Sequence, residues 1–505
     1  MSGTTPWAPT AAALALLALA GCYAANPRLE RPFNEAGGYR FTNLGDQAEQ
    51  DRDDDTFVVL TFSGGGTRAA AFAYGVMEAL HNTALGDGRT MLDEVDVISS
   101  VSGGSFTAAY YGLFGQQQFF ARFRDDVLYR KIERDLILRV LAPWNWPLLL
   151  SPYYARSDLA AAYYDSAIFE GRTFDTMPRH RPFIMLNATD IGVGATFSFT
   201  QEHFDRICSD LNGVSVARGV TASSAFPVAF PPLTVNNYGA GACDYDPPKW
   251  VVRAEHGDFD ANPPRFDLAR TWRSYEDASR RPYIHLSDGG LSDNIGLRSV
   301  ENGIWLTKSI PVLDQVNNKK ITRLVIIVVD AKPRTEASAD QSARPPGIFT
   351  VLEAAATNPM ENYSSDTVEL ARLYFNEWSK DGKNFSARQD GCRRFAADWC
   401  AGERSRHGDC AAQAIERCEK ALSADEPMRP KKPAELYLID LRFDAIPDED
   451  AKRSLQHVDT RLQLPPEQVD LLVSWGRRLL LGSPQYGDLV DSLGGRLPNE
   501  PSSGQ

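Results

Sequence analysis

Apolar side chains fall along this chain in short unbroken runs rather than in long amphipathic periods. The first run, Thr56 to Phe62 (TFVVLTF), is followed at once by three glycines and then by the Ala-rich stretch 69–85. A run of that length reads as a strand buried on both faces, and the segment after it as a helix. The same order recurs: 95–99 (VDVIS) precedes Ser100-Val-Ser-Gly-Gly104 and a helical stretch from Ser105 to about Phe114. Further strands are expected at 182–187, 195–200, 282–286, 324–329 and 436–441, with helical segments between them. Strands alternating with helices predict an α/β protein with a covered, mostly parallel sheet. Residues 331–434 break that rhythm, being rich in Pro, Ala, Arg and Asp, and read as a cysteine-rich insertion of loops and short helices. The domain that begins at 56–330 then returns over 435–482 through a strand and the amphipathic segment Pro465 to Leu481. Residues 483–505, a Gly/Pro/Ser tail, are expected to be flexible.

The start of the chain has a different character. Residues 1–27 carry no charged side chain, and the apolar run Ala11 to Ala20 is too short to span a bilayer but matches the apolar region of a signal peptide. It ends in Leu19-Ala20-Gly21-Cys22, which resembles a bacterial lipobox. That resemblance implies removal of 1–21 and lipidation of Cys22. Acyl chains at about 0.8 kcal/mol per buried CH₂ would then hold the protein on a membrane surface without a spanning helix. Tyr23 after the cysteine implies the cell envelope, at the outer membrane facing the periplasm. Residues 22–55, polar and ending in Asp51-Arg-Asp-Asp-Asp55, read as a lipid-anchored linker.

Composition narrows the class. A chain of 505 residues with 43% hydrophobic and 24% charged residues is an ordinary globular protein, neither disordered nor polytopic. Its net charge of −13 argues against nucleic acid as a partner. Beside Cys22 there are six cysteines, Cys208, Cys243, Cys392, Cys400, Cys410 and Cys418, an even number that suits an oxidising compartment. Zinc is the competing reading for the last four, but they lack the short Cys-x₂₋₄-Cys pair that zinc sites use. Fifteen pairings are open, of which Cys208 with Cys243 and two bridges within 392–418 is the simplest.

Three motifs carry candidate chemistry. The first, Ser63-Gly64-Gly65-Gly66-Thr67-Arg68-Ala69, lies between strand and helix, where glycines let backbone amides face an anion. A triphosphate loop would need a Lys followed by Ser or Thr, which is missing. A dinucleotide fingerprint fits only formally, without a clear acidic partner at the end of a second strand. The remaining reading is an oxyanion hole. The second motif, Ser100-Val-Ser102-Gly-Gly104, has the outline of a nucleophile elbow, with Ser100 in place of the usual first glycine. The third, Ser287-Asp288-Gly289-Gly290, follows a strand and places an acid at the same sheet edge, where α/β proteins bind ligands. Asp293 is the rival acid and a candidate helix cap. Of the histidines, His407 and His457 follow Asp288, as a Ser, acid, His triad would require, but both lie in polar surroundings. His285, in an apolar strand, reads as a packed residue.

Glycine loop, elbow and strand-end Asp-Gly-Gly, in this order, resemble the patatin-like phospholipase family. The resemblance covers about 56–330 and 435–482, including Ala222-Ser-Ser-Ala225-Phe-Pro227, and it finds no counterpart for the insertion. It implies a three-layer α/β/α sandwich and a lipid acyl hydrolase without a catalytic histidine. Ser102 would be the nucleophile and Asp288 the base. Gly64, Gly65 and Gly66 would form the oxyanion hole, and Arg68 would serve as a contact for substrate phosphate or as a structural ion pair. No metal or organic cofactor is expected, so chelators should leave activity intact. The same acyl-enzyme would permit acyl transfer to an acceptor other than water. A non-catalytic envelope scaffold, with the insertion binding a protein, is the alternative from another class. Finally, Leu141-Ala-Pro-Trp144-Asn-Trp146-Pro-Leu-Leu-Leu150, continuing to Tyr153-Tyr154, reads either as a lid or interface-binding surface or as core.

Overall fold

The computed structural model describes residues 26–43 and 55–498, apart from positions 31, 35, 87, 228, 308, 309, 319, 334–342, 344, 403–409 and 425–433. The expected signal segment 1–21, Cys22, His407 and residues 499–505 lie outside the described residues.

Eight strands form one sheet: β1 (Thr56–Phe62), β2 (Val95–Val101), β3 (Phe183–Asp190), β4 (Ala195–Ser198), β5 (Leu233–Asn236), β6 (Tyr283–Asp288), β7 (Arg323–Asp330) and β8 (Glu435–Arg442). Their order is β5-β6-β3-β2-β1-β7-β8, with β4 paired to β3. The run β3-β2-β1-β7-β8 is parallel, whereas β4, β5 and β6 pair antiparallel. Every residue of β1 and β2 is buried, which is why both read as apolar runs. The acid inside β2, Asp96, is neutralised by Arg181 and accepts the amide of Val58 at 2.7 Å.

Helix α1 (Gly66–Asn82) follows β1 and α2 (Gly103–Phe123) follows β2; α3 (Ile132–Leu141), α4 (Arg156–Ala167), α5 (Val216–Ser223) and α6 (Leu297–Glu301) come before β7. Successive residues of a strand face opposite sides of a sheet, and β2 shows two covered sides. Ser99 donates to the carbonyl of Gly296, just before α6, at 2.6 Å, whereas Ser100 accepts from Ser105 of α2 at 3.1 Å. Helices therefore cover both faces, giving the expected three-layer α/β/α sandwich around a mostly parallel sheet.

The insertion is more regular than the sequence implies. Instead of loops and short helices it holds α7 (Ile348–Gly402, 55 residues) and α8 (Cys410–Ala424). Pro359, Gly382 and Gly391 stand inside α7, so residues that usually break helices hide it from a reading by pattern. Bridges Cys392–Cys418 and Cys400–Cys410 are nested and run α8 back along α7; the third bridge is Cys208–Cys243. Helix α7 also docks on the sheet domain, where Tyr374 stacks on Trp305 with ring centres 5.1 Å apart.

Two further expectations need correction. Residues 26–43 are no tether: Asn26, Leu29, Tyr39 and Arg40 are buried, and Asn26 bonds Ser209 and Asn236. The expected flexible tail begins instead as a second helix packed beside α9 (Pro466–Leu481), namely α10 (Pro484–Ser492), with Tyr486, Leu489 and Val490 buried and the Tyr486 hydroxyl 2.9 Å from Thr83 Oγ1. Helix α9 itself lies close on α1 because of a glycine pair. A Cβ on Gly75 would sit 2.1 Å from the Val473 carbonyl oxygen, and one on Gly476 would sit 2.3 Å from that of Phe72.

Candidate active site

Ser102 stands between β2 and α2 with φ 50° and ψ −117°, backbone angles that a non-glycine residue adopts only when its surroundings impose them. What imposes them is close packing on both sides. A Cβ on Gly103 would lie 2.0 Å from the Gly66 carbonyl oxygen, and one on Gly104 would lie 2.6 Å from the Phe62 Cβ. The Ser102 amide donates to Ser223 Oγ at 2.9 Å, and that hydroxyl donates to the Asn187 carbonyl at 2.6 Å. Helix α5, which carries Ser223, thereby straps the elbow to β3.

Asp288 ends β6, and its position follows from an antiparallel offset that the sequence does not disclose. Strand β6 overlaps only the last residues of β3, pairing Asp190 with Leu286 and Ala188 with Asp288. It runs against the parallel strands yet stops at their carboxyl edge, so its last residue comes to Ser102. The carboxylate accepts the Gly290 amide at 2.8 Å and is fully buried. Burial pushes its pKa up to about 6, and hydrogen bonds from the Gly290 amide and the Ser102 hydroxyl draw it part of the way back. Asp293 takes a different part. It accepts the amides of Ile295 at 3.2 Å and Arg298 at 2.7 Å, so it shapes the entry to α6, and burial raises its pKa as well.

The glycine loop passes within van der Waals distance of the nucleophile: a Cβ on Gly64 would be 3.3 Å from that of Ser102. Its three amides are not equivalent. Gly64 donates to the Asn294 carbonyl at 2.9 Å, so it shapes the loop rather than facing a ligand. The amides of Gly65 and Gly66 enter no hydrogen bond among the described residues. Gly65 and Gly66 have φ of +134° and +58°, and a Cβ on Gly66 would be 2.3 Å from the Arg461 carbonyl oxygen. Arg68 is buried beneath this loop, lines the cavity, and donates to the carbonyls of Ala331 at 2.8 Å and Val458 at 2.6 Å, so that it joins three chain segments.

These groups open into a cavity of about 670 Å³ lined by Ser102, Asp288 and Asn294, with Glu133, Arg156, Lys332 and Arg461 also at its wall. Its apolar walls come from Ile137, Leu141, Leu159 and Phe230, and from Met360 of the insertion. Ser223, Asn294 and Met360 escape a reading of the sequence, since a serine in a small-residue helix, an Asn after a turn and a Met in an insertion carry no signal of their own. Among the described residues no histidine lines this cavity. His457 is exposed and bonded to the Arg453 carbonyl, and His285 is exposed rather than packed, 3.0 Å from Thr234 Oγ1. Among the described residues no group of three or more His, Cys, Asp or Glu is placed to hold a metal ion.

Sheet, elbow and strand-end acid define an α/β/α protein with a serine and a buried carboxylate meeting at a glycine loop. Residues 60–300 match the family model of patatin-like phospholipase, so the chain carries a patatin-like phospholipase domain over that range. Comparison with curated proteins finds no match. Among solved structures the chain is similar to human GIVD cytosolic phospholipase A2, at 14% identity and TM-score 0.38, covering 90% of this chain and 62% of that one. It is also similar to VipD from Legionella pneumophila, at 12% identity and TM-score 0.31, covering 92% and 70%. The chain thus spans less than two thirds of the length of the human protein.

Proposed function

We propose that this chain hydrolyses acyl esters of membrane lipids through a covalent intermediate on Ser102. The observation that carries the reading is one meeting of groups: a nearly buried serine on a strained elbow and a buried carboxylate with its pKa raised to about 6 line the same cavity beside the glycine loop. An ordinary carboxylate of pKa about 4 is a poor base, and the raised value brings Asp288 closer to the range in which a general base works. Asp288 takes the proton as Ser102 Oγ attacks the ester carbonyl carbon. The amides of Gly65 and Gly66, with that of Gly103 behind the elbow, face the oxyanion of the tetrahedral intermediate, each donor being worth about 10²–10³ in rate. Collapse expels the alcohol, which recovers the proton from Asp288. Water, deprotonated by the same carboxylate, then attacks the acyl-enzyme carbonyl; Ser102 Oγ leaves with the proton from Asp288, and the fatty acid is released. Acyl chains fit the apolar walls of the cavity.

The same proposal places the enzyme in the cell envelope, anchored at the outer membrane through lipidated Cys22. Intact-mass analysis after treatment with a fluorophosphonate tests the chemistry. A single adduct is expected on the wild type and none on Ser102→Ala, with Asp288→Asn strongly slowed. A folded wild type that takes no adduct, in detergent or in vesicles, would overturn the reading.

A further inference from the structure

The lip of the cavity carries a cluster of exposed large apolar side chains. Between 137 and 153, Ile137, Leu138, Leu141, Trp144, Trp146, Leu150 and Tyr153 are all exposed, Leu150 and Trp144 at 84% and 78%. Single exposed apolar residues are normal, but seven within one short segment are not. The segment comprises α3 and the turns that follow it, and the alternative that it packs into the core is not what forms. Two of these residues, Ile137 and Leu141, also line the cavity that holds Ser102, so the exposed face runs without a break into the site. The same segment is net basic. Residues 130–156 carry Arg130, Lys131, Arg134, Arg139 and Arg156 against Glu133 and Asp135, a net positive stretch in a chain of −13.

We propose that this lip is a membrane-docking surface that seats on an anionic lipid bilayer and passes a lipid acyl chain directly into the cavity. Tryptophan and tyrosine favour the boundary between headgroups and acyl chains, and arginine stems lie along apolar surface while their heads meet phosphate. That combination fits a bilayer better than a protein groove, which would call for a shaped pocket opposite each aromatic ring. A lipid entering past Ile137 and Leu141 would keep its acyl chain out of water throughout. The inference rests on the hydrolase reading for its purpose, while the docking itself can be measured without any turnover.

The test uses the full chain and vesicles of phosphatidylglycerol and phosphatidylethanolamine. With brominated acyl chains in the vesicles, tryptophan fluorescence of the wild type should be quenched, and Trp144→Phe/Trp146→Phe should lose most of that quenching even if another part of the chain holds the protein on the membrane. In parallel, Trp144→Ser/Trp146→Ser/Leu150→Ser should hydrolyse vesicle lipid at least about tenfold more slowly while turning over a soluble short-chain ester within about twofold of wild type. Quenching that survives the Phe variant overturns the docking surface. Light scattering in which the Ser variant converts a dimer to a monomer overturns it too, assigning the face to a second copy of this chain. A wild type that is quenched but hydrolyses neither substrate keeps the docking surface and sinks the hydrolase reading instead.

Discussion

Asp288 illustrates how a residue can be placed against its own stability. Its pKa is about 6 in the folded protein against an ordinary value of 3.8, so the folded state holds the proton more tightly than the unfolded one. Its contribution to stability is complete below about pH 4 and is lost as pH rises through 6. At pH 7 the carboxylate is buried in its charged form, at a cost of roughly 3 kcal/mol for a pKa raised that far. Asp288→Asn is therefore expected to raise the denaturation midpoint at pH 7, to lose that advantage near pH 4, and to be nearly inactive throughout. Asp205 and Asp330 also have pKa values of about 6, so the comparison must be made between variant and wild type, in which their effects cancel. An Asn variant no more stable than wild type at pH 7 would mean that the site already compensates the charge. The wild type itself should lose turnover of a soluble ester as pH falls below about 6, when the base becomes protonated. Gly103 offers a second check. Its alanine variant forces a Cβ against the Gly66 carbonyl, and kcat should fall by about 10² or more with little change in KM, since the Gly65 and Gly66 amides would be displaced from the oxyanion. Ser102 and Asp288 are legible in the sequence because small residues and a turn acid announce them. The division of labour among Gly64, Gly65 and Gly66 is not legible, because it depends on which amide the Asn294 carbonyl takes.

Elements show the same boundary between what sequence pattern can and cannot carry. Strands buried on both faces, such as β1 and β7, are recognisable as runs: β1 has the expected ends, and β7 is longer than expected by one residue at each end. Strand β5 escapes such a reading: it has four residues and alternates buried with half-buried positions, too short a pattern to stand out. The antiparallel course of β6 is also hidden, since a run of apolar residues does not state its direction. Helix α7 is concealed for the opposite reason, in that Pro and Gly inside it outweigh a length that only packing makes stable. Its two ends have separate tasks, because Met360 lines the cavity while Cys392 lies 32 residues onward, about 48 Å at 1.5 Å per residue. Replacing Cys392 and Cys418 by Ser should therefore raise amide exchange of the Cys418 end of α8 by about tenfold or more and leave soluble-ester turnover unchanged. Loss of turnover in that variant would show that the disulfide hairpin reaches the site.

At the scale of the whole molecule, the packing of 26–43 changes what an anchor at Cys22 would do. The sequence allows a linker of some thirty residues, which would let the body move freely away from the membrane. Because Asn26 is already built into the sheet domain, only residues 23–25 separate a lipidated Cys22 from it, a span of at most about 14 Å. The body would then rest on the bilayer, and the apolar lip would need only to turn toward a surface already beside it. Two contacts on one body reinforce each other through effective concentration, and the gain is largest when the connection is short. Cys22→Ser should accordingly leave turnover of soluble esters unchanged while the protein leaves the membrane fraction, and vesicle turnover should fall. Inserting about thirty Gly and Ser residues between 25 and 26 should keep the protein in the membrane fraction and yet reduce turnover of vesicle lipid, because the lip would meet the surface less often. Unchanged turnover in the long-linker variant would mean that the lip alone is sufficient to hold the site on the bilayer. A Cys22→Ser protein that stays with the membrane and keeps full vesicle turnover would remove the anchor from the account altogether.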